Sequence, residues 1–314
     1  MKYSFLLPAF KSRFLKQAIE SIISQTFFDF ELIVSDDNSP ENLKSIVDEF
    51  DDKRIVYRRN EKNIGAERMV DHWNLLLSVA KGDYVIMAAD DDTYEADFLQ
   101  HVDDLVLKYP MVDLIRARVR NVNMLDDPIW EDAIYPEFQD EITAVCAYPT
   151  VCMGNYVFKR SALNKIGGFF DLPYAMGSDT ASAMLMAKNG VANTHQLLFN
   201  YRISDLQVSH ASKNYRVDRG KMAGAVTFHN WMRKYVDGLC YEHTKLNQIR
   251  VRTFIQNHVI RGMLHCARIY SGTLSWIEFH SLFCEMTKIG CFNRKVDKLL
   301  FMLDYIRLRK NYKR

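Results

Sequence analysis

The chain has 314 residues, of which 48% are hydrophobic and 25% are charged, a normal globular balance with enough apolar material for a sizeable core. This length fits one large domain with an appendage, or two ordinary domains. The formal net charge of +2 is too small to indicate a nucleic-acid binder, so no nucleic-acid partner is expected. No apolar run approaches the ~20 residues of a membrane-spanning helix.

The first ten residues, MKYSFLLPAF, combine a lysine with an apolar stretch, as a signal peptide does. Pro8 and Lys11 shorten that stretch and no small-residue cleavage site follows, so we interpret it as a first core strand. The cysteines lack CxxC pairs and zinc-ligand spacing: Cys146, Cys152, Cys240, Cys266, Cys284 and Cys291. We therefore expect reduced thiols and a cytoplasmic protein.

Short apolar strands alternate with amphipathic helices over the first ~120 residues, which predicts a parallel α/β sheet. The predicted strands are YSFLLP, ELIV, RIVY, YVIMAA and DLIRARV. Helices are predicted between them at 14–24, from Ser39-Pro40 onward, at 66–80 and up to Tyr109. Gly82 is expected to end the third helix as its C-terminal cap.

The second half of the chain lacks the alternation of strands and helices. From about 121 to 149 the periodicity is lost and prolines interrupt the segment, which suggests a long excursion that shapes a binding cleft. A helix follows at 179–189, ended by Gly190, and the pattern from about Val217 is helical and rich in Lys and Arg. We predict a first domain over 1–212, with halves of about 1–120 and 121–212, and a helical extension over 213–314.

Two acidic clusters follow predicted strands, Asp36-Asp37 after ELIV and Asp90-Asp91-Asp92 after YVIMAA. Ligands of open parallel sheets bind at the carboxyl ends of the strands, where both clusters fall. Three adjacent carboxylates repel one another unless a cation or hydrogen-bond donors offset the charge. Mg²⁺ or Mn²⁺ carrying a diphosphate provides that offset, since both prefer hard oxygen ligands. The alternative is that each cluster is a solvated turn that caps the next helix.

Four motifs resemble the family 2 glycosyltransferases, and the resemblance covers about residues 1–212. They are FLLPAF…IESIISQTFFDFELIVSDDNSPE, NEKNIGAERMVDHWNLLLSVAKGDYVIMAADDD, FKRSALNKIGGFFD and GSD at 177–179. The resemblance implies a GT-A fold, a Rossmann-like mixed or parallel sheet flanked by helices. It also implies an inverting enzyme that moves a sugar from a nucleotide-diphosphate-sugar, such as a UDP-sugar, to an acceptor hydroxyl in cell-surface polysaccharide or glycoconjugate synthesis.

The resemblance also implies roles for residues that bind the donor. Asp37 matches the position that bonds the uracil or other donor base. Pro8 and Ala9 match the backbone turn that lies along the nucleoside. Arg68 stands where related enzymes place a basic residue beside the nucleotide.

The remaining roles concern the diphosphate and the acceptor. Asp91 matches the metal-binding carboxylate of the DXD motif, Asp90 the carboxylate near the ribose, and Asp92 is expected to support them. Asp179 matches the general base, which must lie within hydrogen-bond reach of the acceptor hydroxyl. The alternative for Asp179 is an acidic residue in a helix first turn behind a Ser178 cap, where the helix dipole alone favours it.

One position departs from the family. YRISDLQVSH (201–210) resembles a Y-R-x-H-x-x-S-x-S segment whose histidine approaches the diphosphate or metal. Ser204 replaces that histidine here, and His210 lies nearby in the sequence. A third metal ligand from the protein is therefore left open.

The chain ends in VDKLLFMLDYIRLRKNYKR, which places Val296, Leu299, Leu300, Leu303 and Ile306 on one helical face among many cations. A basic amphipathic helix can lie on an anionic membrane surface, which would make the protein peripheral at the inner face of the membrane. Lipid-linked or saccharide acceptors of the family agree with that interpretation. The alternative, which we rank first, is that this face packs on the catalytic domain.

Two other functions remain open at this point. A metal-dependent nucleotidyltransferase also binds a metal–nucleotide with carboxylates, but PAFKSRF lacks the glycines typical of its first loop. A non-catalytic sugar-nucleotide-binding protein would not need Asp179. The sequence names neither the sugar nor the acceptor, and it leaves the oligomeric state open.

Overall fold

A computed structural model describes residues 1–147, 152–204, 214–239, 244–288, 292, 295–310 and 312. The chain divides into two compact units. The sheet unit comprises Met1–Asp171 and Ser178–Gln207, and the helical unit comprises Leu172–Gly177 and Val208–Arg314. The domain boundary drawn after residue 212 stays a prediction, because 205–213 lie outside the described residues.

The described part of the sheet unit forms one mixed sheet. Its strands are β1 (Tyr3–Ala9), β2 (Phe30–Asp36), β3 (Ile55–Arg59), β4 (Tyr84–Met87), β5 (Thr93–Tyr94), β6 (Leu114–Val122), β7 (Pro128–Glu131), β8 (Phe138–Gln139), β9 (Tyr156–Lys159) and β10 (Val191–Arg202). Their order is β3-β2-β1-β4-β9-β6-β10-β5, with β7 on β6 and β8 on β10. Strands β3, β2, β1 and β4 are parallel, whereas β9 runs antiparallel to β4 and β6.

Helices cover this sheet, so the predicted α/β architecture is confirmed. They are α1 (Leu15–Ile23), α2 (Leu43–Val47), α3 (Met69–Val79), α4 (Phe98–Lys108), α5 (Glu141–Ala147), α6 (Arg160–Lys165) and α7 (Ser178–Met186). The central strands are buried on both faces, which explains their continuous apolar runs. Pro8 is tolerated in β1 because it lies beyond Leu6, the last residue that pairs with β4.

The structural role of Gly82 differs from the predicted helix cap. Helix α3 ends at Val79, and the cap residue Ala80 donates its backbone N–H to the Leu76 carbonyl. A Cβ at Gly82 would lie 2.6 Å from the carbonyl carbon of Tyr3 and 2.7 Å from the nitrogen of Ser4. The glycine is therefore needed for a close approach to β1, and the prediction that it caps the helix is wrong.

Two further boundaries differ from the prediction. Helix α2 begins at Leu43 rather than at Pro40, because the Asn42 side chain accepts the Ser45 N–H and caps it there. The 121–149 segment is more ordered than its composition suggests: β6 continues to Val122, and β7, β8 and α5 follow. Residues 148–151, including Pro149, lie outside the described part.

The helical unit has a core of its own. Its helices are α8 (Tyr215–Gly238), α9 (Lys245–Phe254), α10 (Arg261–Tyr270), α11 (Trp276–Lys288) and α12 (Lys295–Lys310), with a π-helical turn over Ile255–Ile260. The rings of Phe279 and Tyr305 stack at 3.7 Å between centroids, and Phe301 is fully buried beside them. Within the described chain, no helix is both long and apolar enough to cross a bilayer.

Helix α12 does not bury the face that we expected to pack. Val296, Leu299, Leu300, Leu303 and Ile306 are each 40–56% exposed, whereas Phe301 and Tyr305 on the other side are buried. Within the helical unit this face is therefore not covered, and its packing on the catalytic domain stays a prediction. Aromatic side chains on the opposite side make the contacts of α12 inside the unit.

Candidate active site

The two acidic clusters meet at the carboxyl ends of the parallel strands, as predicted. Asp90, which follows β4, accepts hydrogen bonds of 2.9 Å from the backbone N–H groups of Phe10 and Lys11, which follow β1. The Asp37 N–H, after β2, donates to the carbonyl of Ala9 at 2.9 Å. Pro8 and Ala9, the predicted donor-binding residues, are the last two residues of β1, and the turn that follows them is thus joined to both clusters.

Asp36 is a structural carboxylate. It is fully buried and accepts hydrogen bonds from the Tyr57 hydroxyl at 2.7 Å, the Arg59 guanidinium at 2.6 Å and the Ser39 N–H at 2.7 Å. These bonds fix the turn after β2 against β3. Little acceptor capacity remains on Asp36 for a ligand.

Asp37, the predicted base-binding residue, organises the loop at 60–65. Its carboxylate accepts from the Asn60 amide at 2.9 Å, the Ile64 N–H at 2.8 Å and the Gly65 N–H at 3.0 Å. A carboxylate has about four lone-pair sites, so roughly one stays available to a donor base. Arg68 follows this loop with 72% of its side chain exposed, and its Nε donates to the Asp71 carboxylate.

The three carboxylates of the second cluster have different surroundings. Asp92 is buried and accepts the Arg202 N–H at 2.8 Å. Asp91 is partly buried, and no other described residue donates a hydrogen bond to its carboxylate. Desolvation, followed by the charge of Asp90, raises the pKa of Asp91 to about 6. Asp91 is therefore the member of the triplet that is open to a ligand.

Asp179 lies in the first turn of α7. Its carboxylate accepts the Thr180 N–H at 2.7 Å, and desolvation raises its pKa to about 6. The expected Ser178 cap is absent: Ser178 is the first helical residue, and its buried Oγ has no hydrogen-bond partner among the described residues. The Ser178 cap in the alternative for Asp179 is therefore wrong, whereas the first-turn position on which the helix-dipole explanation rests is confirmed.

The third sequence motif explains how α7 is held. Gly168 has φ 95° and lies against the Asn74 side chain of α3, where a Cβ would come within 2.5 Å of Asn74 Oδ1. That oxygen accepts the Phe169 N–H at 2.9 Å. The next residue, Phe170, donates its N–H to Ser182 Oγ of α7 at 2.9 Å. The glycine pair thus lets one turn connect α3 with the helix that carries Asp179.

The segment before α7 has strained backbone. Tyr174 (φ 58°), Ala175 (φ 52°) and Gly177 (φ 89°) are in left-handed conformations. A non-glycine residue in that region costs on the order of 1–3 kcal/mol, and such residues cluster at functional sites. Within the helical unit, Gly177 lies against the Phe228 ring, where a Cβ would come within 2.4 Å.

Tyr201 lies within electrostatic range of both the acidic triplet and Asp179. Burial raises the pKa of its phenol, and the charges of Asp92, Asp179 and Asp91 raise it further. The charges of Asp91 and Asp179 therefore both reach the Tyr201 phenol near the end of β10. Asp37 and Arg68 belong to a separate part of this edge, around the 60–68 loop.

This arrangement agrees with a family model. Residues 4–167, more than half of the chain, match the model described as "Glycosyl transferase family 2". The chain belongs to glycosyl transferase family 2. The matched span contains β1 from its second residue, both acidic clusters and Gly167 of the third motif, whereas Gly168 and Asp179 lie beyond it.

Individual glucosyltransferases match over shorter stretches. A GalNAc(5)-diNAcBac-PP-undecaprenol β-1,3-glucosyltransferase of Campylobacter jejuni is 39% identical over 94 residues, which are 29% of this chain and 30% of that protein. The UDP-Glc:α-D-GlcNAc-diphosphoundecaprenol β-1,3-glucosyltransferase WfgD of Escherichia coli is 31% identical over 106 residues, 33% of this chain and 41% of that protein. The alignments thus span less than half of either relative.

Solved structures extend the likeness to the whole fold. TarS 1–349 of S. aureus, in complex with UDP-GlcNAc, has a TM-score of 0.59 at 14% identity, covering 99% of this chain and 91% of that one. Mannosyltransferase PcManGT from Pyrobaculum calidifontis, in complex with GDP-Man and Mn²⁺, has a TM-score of 0.52 at 14% identity, covering 99% and 86%. The predicted GT-A fold with a helical extension is confirmed.

The side chains of this family 2 site fit a divalent metal only in part. Among the described residues, no three His, Cys, Asp or Glu side chains are arranged to hold a metal ion by themselves. The carboxylates of Asp90 and Asp92 already accept hydrogen bonds from backbone N–H groups. Asp91 is therefore the open oxygen ligand. Mg²⁺ commonly binds through one or two carboxylates plus water and substrate phosphates, so the residues fit a metal that arrives with a diphosphate.

Arg202 is the site residue that sequence reasoning missed. It is fully buried, and its guanidinium donates to the Asp91 carbonyl at 2.8 Å and pairs with Asp126 at 2.8 Å. The guanidinium carbon also lies 4.2 Å from the ring centroid of Phe14. The available signal was the repulsion within the triplet, which calls for a nearby cation, and the YR pair that begins the 201–210 segment.

Ser204, which replaces the family's histidine, is buried just after β10. His210 lies outside the described residues. The possibility of a third protein ligand for the metal therefore stays open.

Proposed function

We propose that the chain is an inverting, metal-dependent glycosyltransferase that moves a sugar from a UDP-sugar to an acceptor hydroxyl. The observation that carries the proposal is the acidic triplet after β4, where backbone N–H groups occupy Asp90 and Asp92 and leave Asp91 open. Asp91 is open to a metal–diphosphate, and Asp179 in the first turn of α7 is suited to accept a proton. Family membership decides against the nucleotidyltransferase alternative.

The donor nucleotide would lie along the turn after β1. Pro8 and Ala9 would contact the nucleoside, and the remaining acceptor capacity of Asp37 would meet an N–H of the base. Arg68, exposed beside the Asp37 loop, would approach the nucleotide. The choice of UDP is supported by the name of the E. coli relative and by the UDP-GlcNAc bound to TarS.

Asp91 would hold Mn²⁺ or Mg²⁺ together with the diphosphate, and Asp90 would lie near the ribose. Such a metal, when bound, offsets the negative charge that develops on the departing nucleoside diphosphate. Arg202 would keep the Asp91 backbone in place through its bond to that carbonyl. The PcManGT complex, which contains Mn²⁺, supports the choice of metal.

Asp179 would accept the acceptor's hydroxyl proton as the oxygen attacks the anomeric carbon. The bond from that carbon to the diphosphate breaks as the new glycosidic bond forms, so the configuration inverts. The Thr180 N–H holds the carboxylate of Asp179, and a pKa of about 6 leaves it mostly ionised at neutral pH.

The acceptor that we propose is a lipid-linked saccharide used in cell-surface polysaccharide or glycoconjugate synthesis. The C. jejuni and E. coli relatives are both named for undecaprenol-diphosphate-linked substrates. An acceptor of that kind would bring the enzyme to the inner face of the membrane as a peripheral protein. The polypeptide itself would remain cytoplasmic.

A thermal-shift panel of UDP-, GDP-, CDP- and dTDP-sugars, with Mn²⁺ or with EDTA, tests the proposal. A donor at one hundred times its Kd should add about 2.7 kcal/mol of stability, and only in the presence of metal. No shift with any nucleotide, or an equal shift in EDTA, would contradict the metal–donor assignment. The anomeric configuration of the product, measured by NMR, tests inversion separately.

A further inference from the structure

The exposed side of α12 forms a continuous apolar stripe. It comprises Val296, Leu299, Leu300, Leu303 and Ile306, whose successive intervals of three, one, three and three residues place them on one side of the helix. Each is 40–56% exposed, and Met302 at the margin is 42% exposed. Six exposed apolar side chains on one 16-residue helix are more than scattered surface residues, and such a patch indicates an interaction surface.

The stripe is exposed because the other side of α12 holds the helix in place. Phe301 and Tyr305 are fully buried, and Phe279 of α11 stacks on Tyr305. The Arg309 guanidinium donates to the Leu274 carbonyl at 2.6 Å. Changes on the exposed side should therefore leave the packing of the helix unaffected.

Two more apolar side chains lie at the start of α11. Trp276 is 55% exposed and Ile277 is 84% exposed. The Trp276 ring lies edge-on to Tyr305 at 4.9 Å, and the Arg309 guanidinium lies 5.5 Å from its centroid. An exposed tryptophan beside an arginine is typical of a side chain that sits at a membrane–water boundary.

The helix that carries the apolar stripe is also rich in positively charged residues. Helix α12 carries Lys295, Lys298, Arg307, Arg309 and Lys310 against two acids, Asp297 and Asp304. The helical unit as a whole has 20 Lys and Arg against 7 Asp and Glu, a net charge of +13, whereas the sheet unit has 21 against 32, a net charge of −11. The basic balance is confined to the unit that carries the apolar stripe.

We propose that the exposed face of α12 binds the surface of an anionic lipid bilayer, with Trp276 and Ile277 as further apolar side chains exposed on the same unit. Exposed leucines interleaved with cations meet both parts of such a surface, the acyl boundary and the headgroups. A nucleic acid would use the cations but would leave the apolar stripe in water. A second copy of the chain would bring two positively charged helices together, so charge complementarity favours the lipid.

Co-sedimentation of the full chain with phosphatidylcholine vesicles, with and without phosphatidylglycerol, tests the proposal. We expect binding only when phosphatidylglycerol is present. Leu299→Glu/Leu303→Glu should weaken binding on the order of 100-fold, since it replaces apolar contact with repelled charge. Lys295→Gln/Lys310→Gln should weaken binding about 25-fold, at about fivefold per cation.

The matched control is Leu107→Glu/Met111→Glu, which changes two side chains of the sheet unit that are 70% and 62% exposed. It should bind vesicles like the parent chain. Equal binding to both vesicle types, or equal weakening by the control, would overturn the proposal. A dimer that Leu299→Glu/Leu303→Glu dissociates would assign the face to a second copy instead, and tight binding of duplex DNA without vesicle binding would assign it to nucleic acid. None of these measurements depends on glycosyl transfer.

Discussion

The two units of this chain use charged side chains in opposite ways. The sheet unit is acidic, and several of its carboxylates turn inward, where backbone N–H groups hold them, as at Asp37, Asp90 and Asp179. The helical unit is basic, and the cations of α12 lie at its surface beside exposed leucines. Burying like charges disfavours the fold unless a ligand or donor offsets them.

This difference separates two tasks. Inward carboxylates with raised pKa values indicate chemistry on a bound ligand, whereas outward cations with apolar neighbours indicate attachment to a surface. Variants in the sheet unit should therefore change donor binding or turnover. Variants on the exposed face of the helical unit should change only the binding of the protein to anionic bilayers. Each prediction below tests one side of that division.

The largest effect is expected for Asp91→Ala. This substitution removes the open oxygen ligand of the triplet, so metal-dependent donor binding should be lost and transfer should fall about 10³-fold or more. The fold should persist, and the melting temperature should stay the same or rise, because a desolvated carboxylate next to Asp90 is removed. Calorimetric titration of the donor with Mn²⁺ measures the binding.

The control for that experiment is Asp104→Ala, which removes an exposed acid of α4 that contacts Gln100. It should bind donor and turn over like the parent chain. Full activity of Asp91→Ala in EDTA-treated buffer would remove Asp91 from the metal site.

Asp179→Asn should lower transfer by roughly 10²–10⁴-fold, the usual share of a positioned base. Donor affinity should barely change, because Asp37 and Asp91 are intact. The variant should also be more stable than the parent at pH 8, by about 1–2 kcal/mol, since the amide avoids the desolvation that raises the carboxyl pKa. The donor Kd, single-turnover transfer and urea unfolding on one preparation measure all three.

A helix-dipole role alone for Asp179 would give a different pattern. Transfer would be nearly unchanged and about 0.3–1 kcal/mol of stability would be lost. In that case the base would have to be sought in the 121–150 segment, where Glu131, Asp132 and Glu137 are the candidates.

The pH dependence of transfer, measured at saturating metal and donor so that Asp91 is held ionised, should report the titration of Asp179. Its pKa is about 6 in the folded chain, so kcat should fall about tenfold per unit as pH drops below 6. The effect on the free energy of unfolding has the opposite sign. The pKa of this carboxyl rises from about 3.9 in the unfolded chain, so Asp179 does not destabilise the fold below about pH 3.9 and destabilises it fully above about pH 6. A flat kcat between pH 5 and 8 would contradict the base assignment.

Much of the sheet unit was predictable because its central strands are buried on both faces. YSFLLP, ELIV and YVIM are continuous apolar runs, and the acids that end them mark the ligand edge. Strand β10 was not predicted, since polar residues interrupt it and its register on β6 shifts between Asn193 and Phe199. Such irregular pairing with distant strands leaves no period in the sequence.

The motifs name candidate site residues but not their contacts. Asp91 and Asp179 stay predicted site residues. The bond that holds the Asp91 backbone comes from the Arg202 guanidinium, which the sequence did not reveal because arginine is usually exposed. The sequence of α12 likewise did not predict which face is buried. It carries apolar residues on two sides, and only tertiary packing decides that Phe301 and Tyr305 are covered while Leu299 and Leu303 are not.

The smallest effect is expected at Glu278 in the helical unit, where a carboxylate serves stability instead of chemistry. Glu278 and Ser275 form a capping box at the start of α11: the carboxylate accepts the Ser275 N–H at 2.7 Å, and Ser275 Oγ accepts the Glu278 N–H at 3.3 Å. The same carboxylate pairs with the Arg219 guanidinium at 2.5 Å. The bonds from Arg219 and then Ser275 lower the pKa of Glu278 to about 2.

Glu278→Gln keeps the capping geometry and removes the charge, so the expected loss is below about 1 kcal/mol at pH 7, because the pair is roughly 40% exposed and water screens it. A depressed carboxyl pKa stabilises the fold above the unfolded value of about 4.3, and that contribution disappears as pH falls toward 2. Urea unfolding should thus separate the variant from its parent at pH 7 and not at pH 2. Glu285→Gln, two turns further along α11, is the control. Transfer to a soluble acceptor should be unchanged in both, and a loss of turnover in Glu278→Gln alone would break the division between the two units.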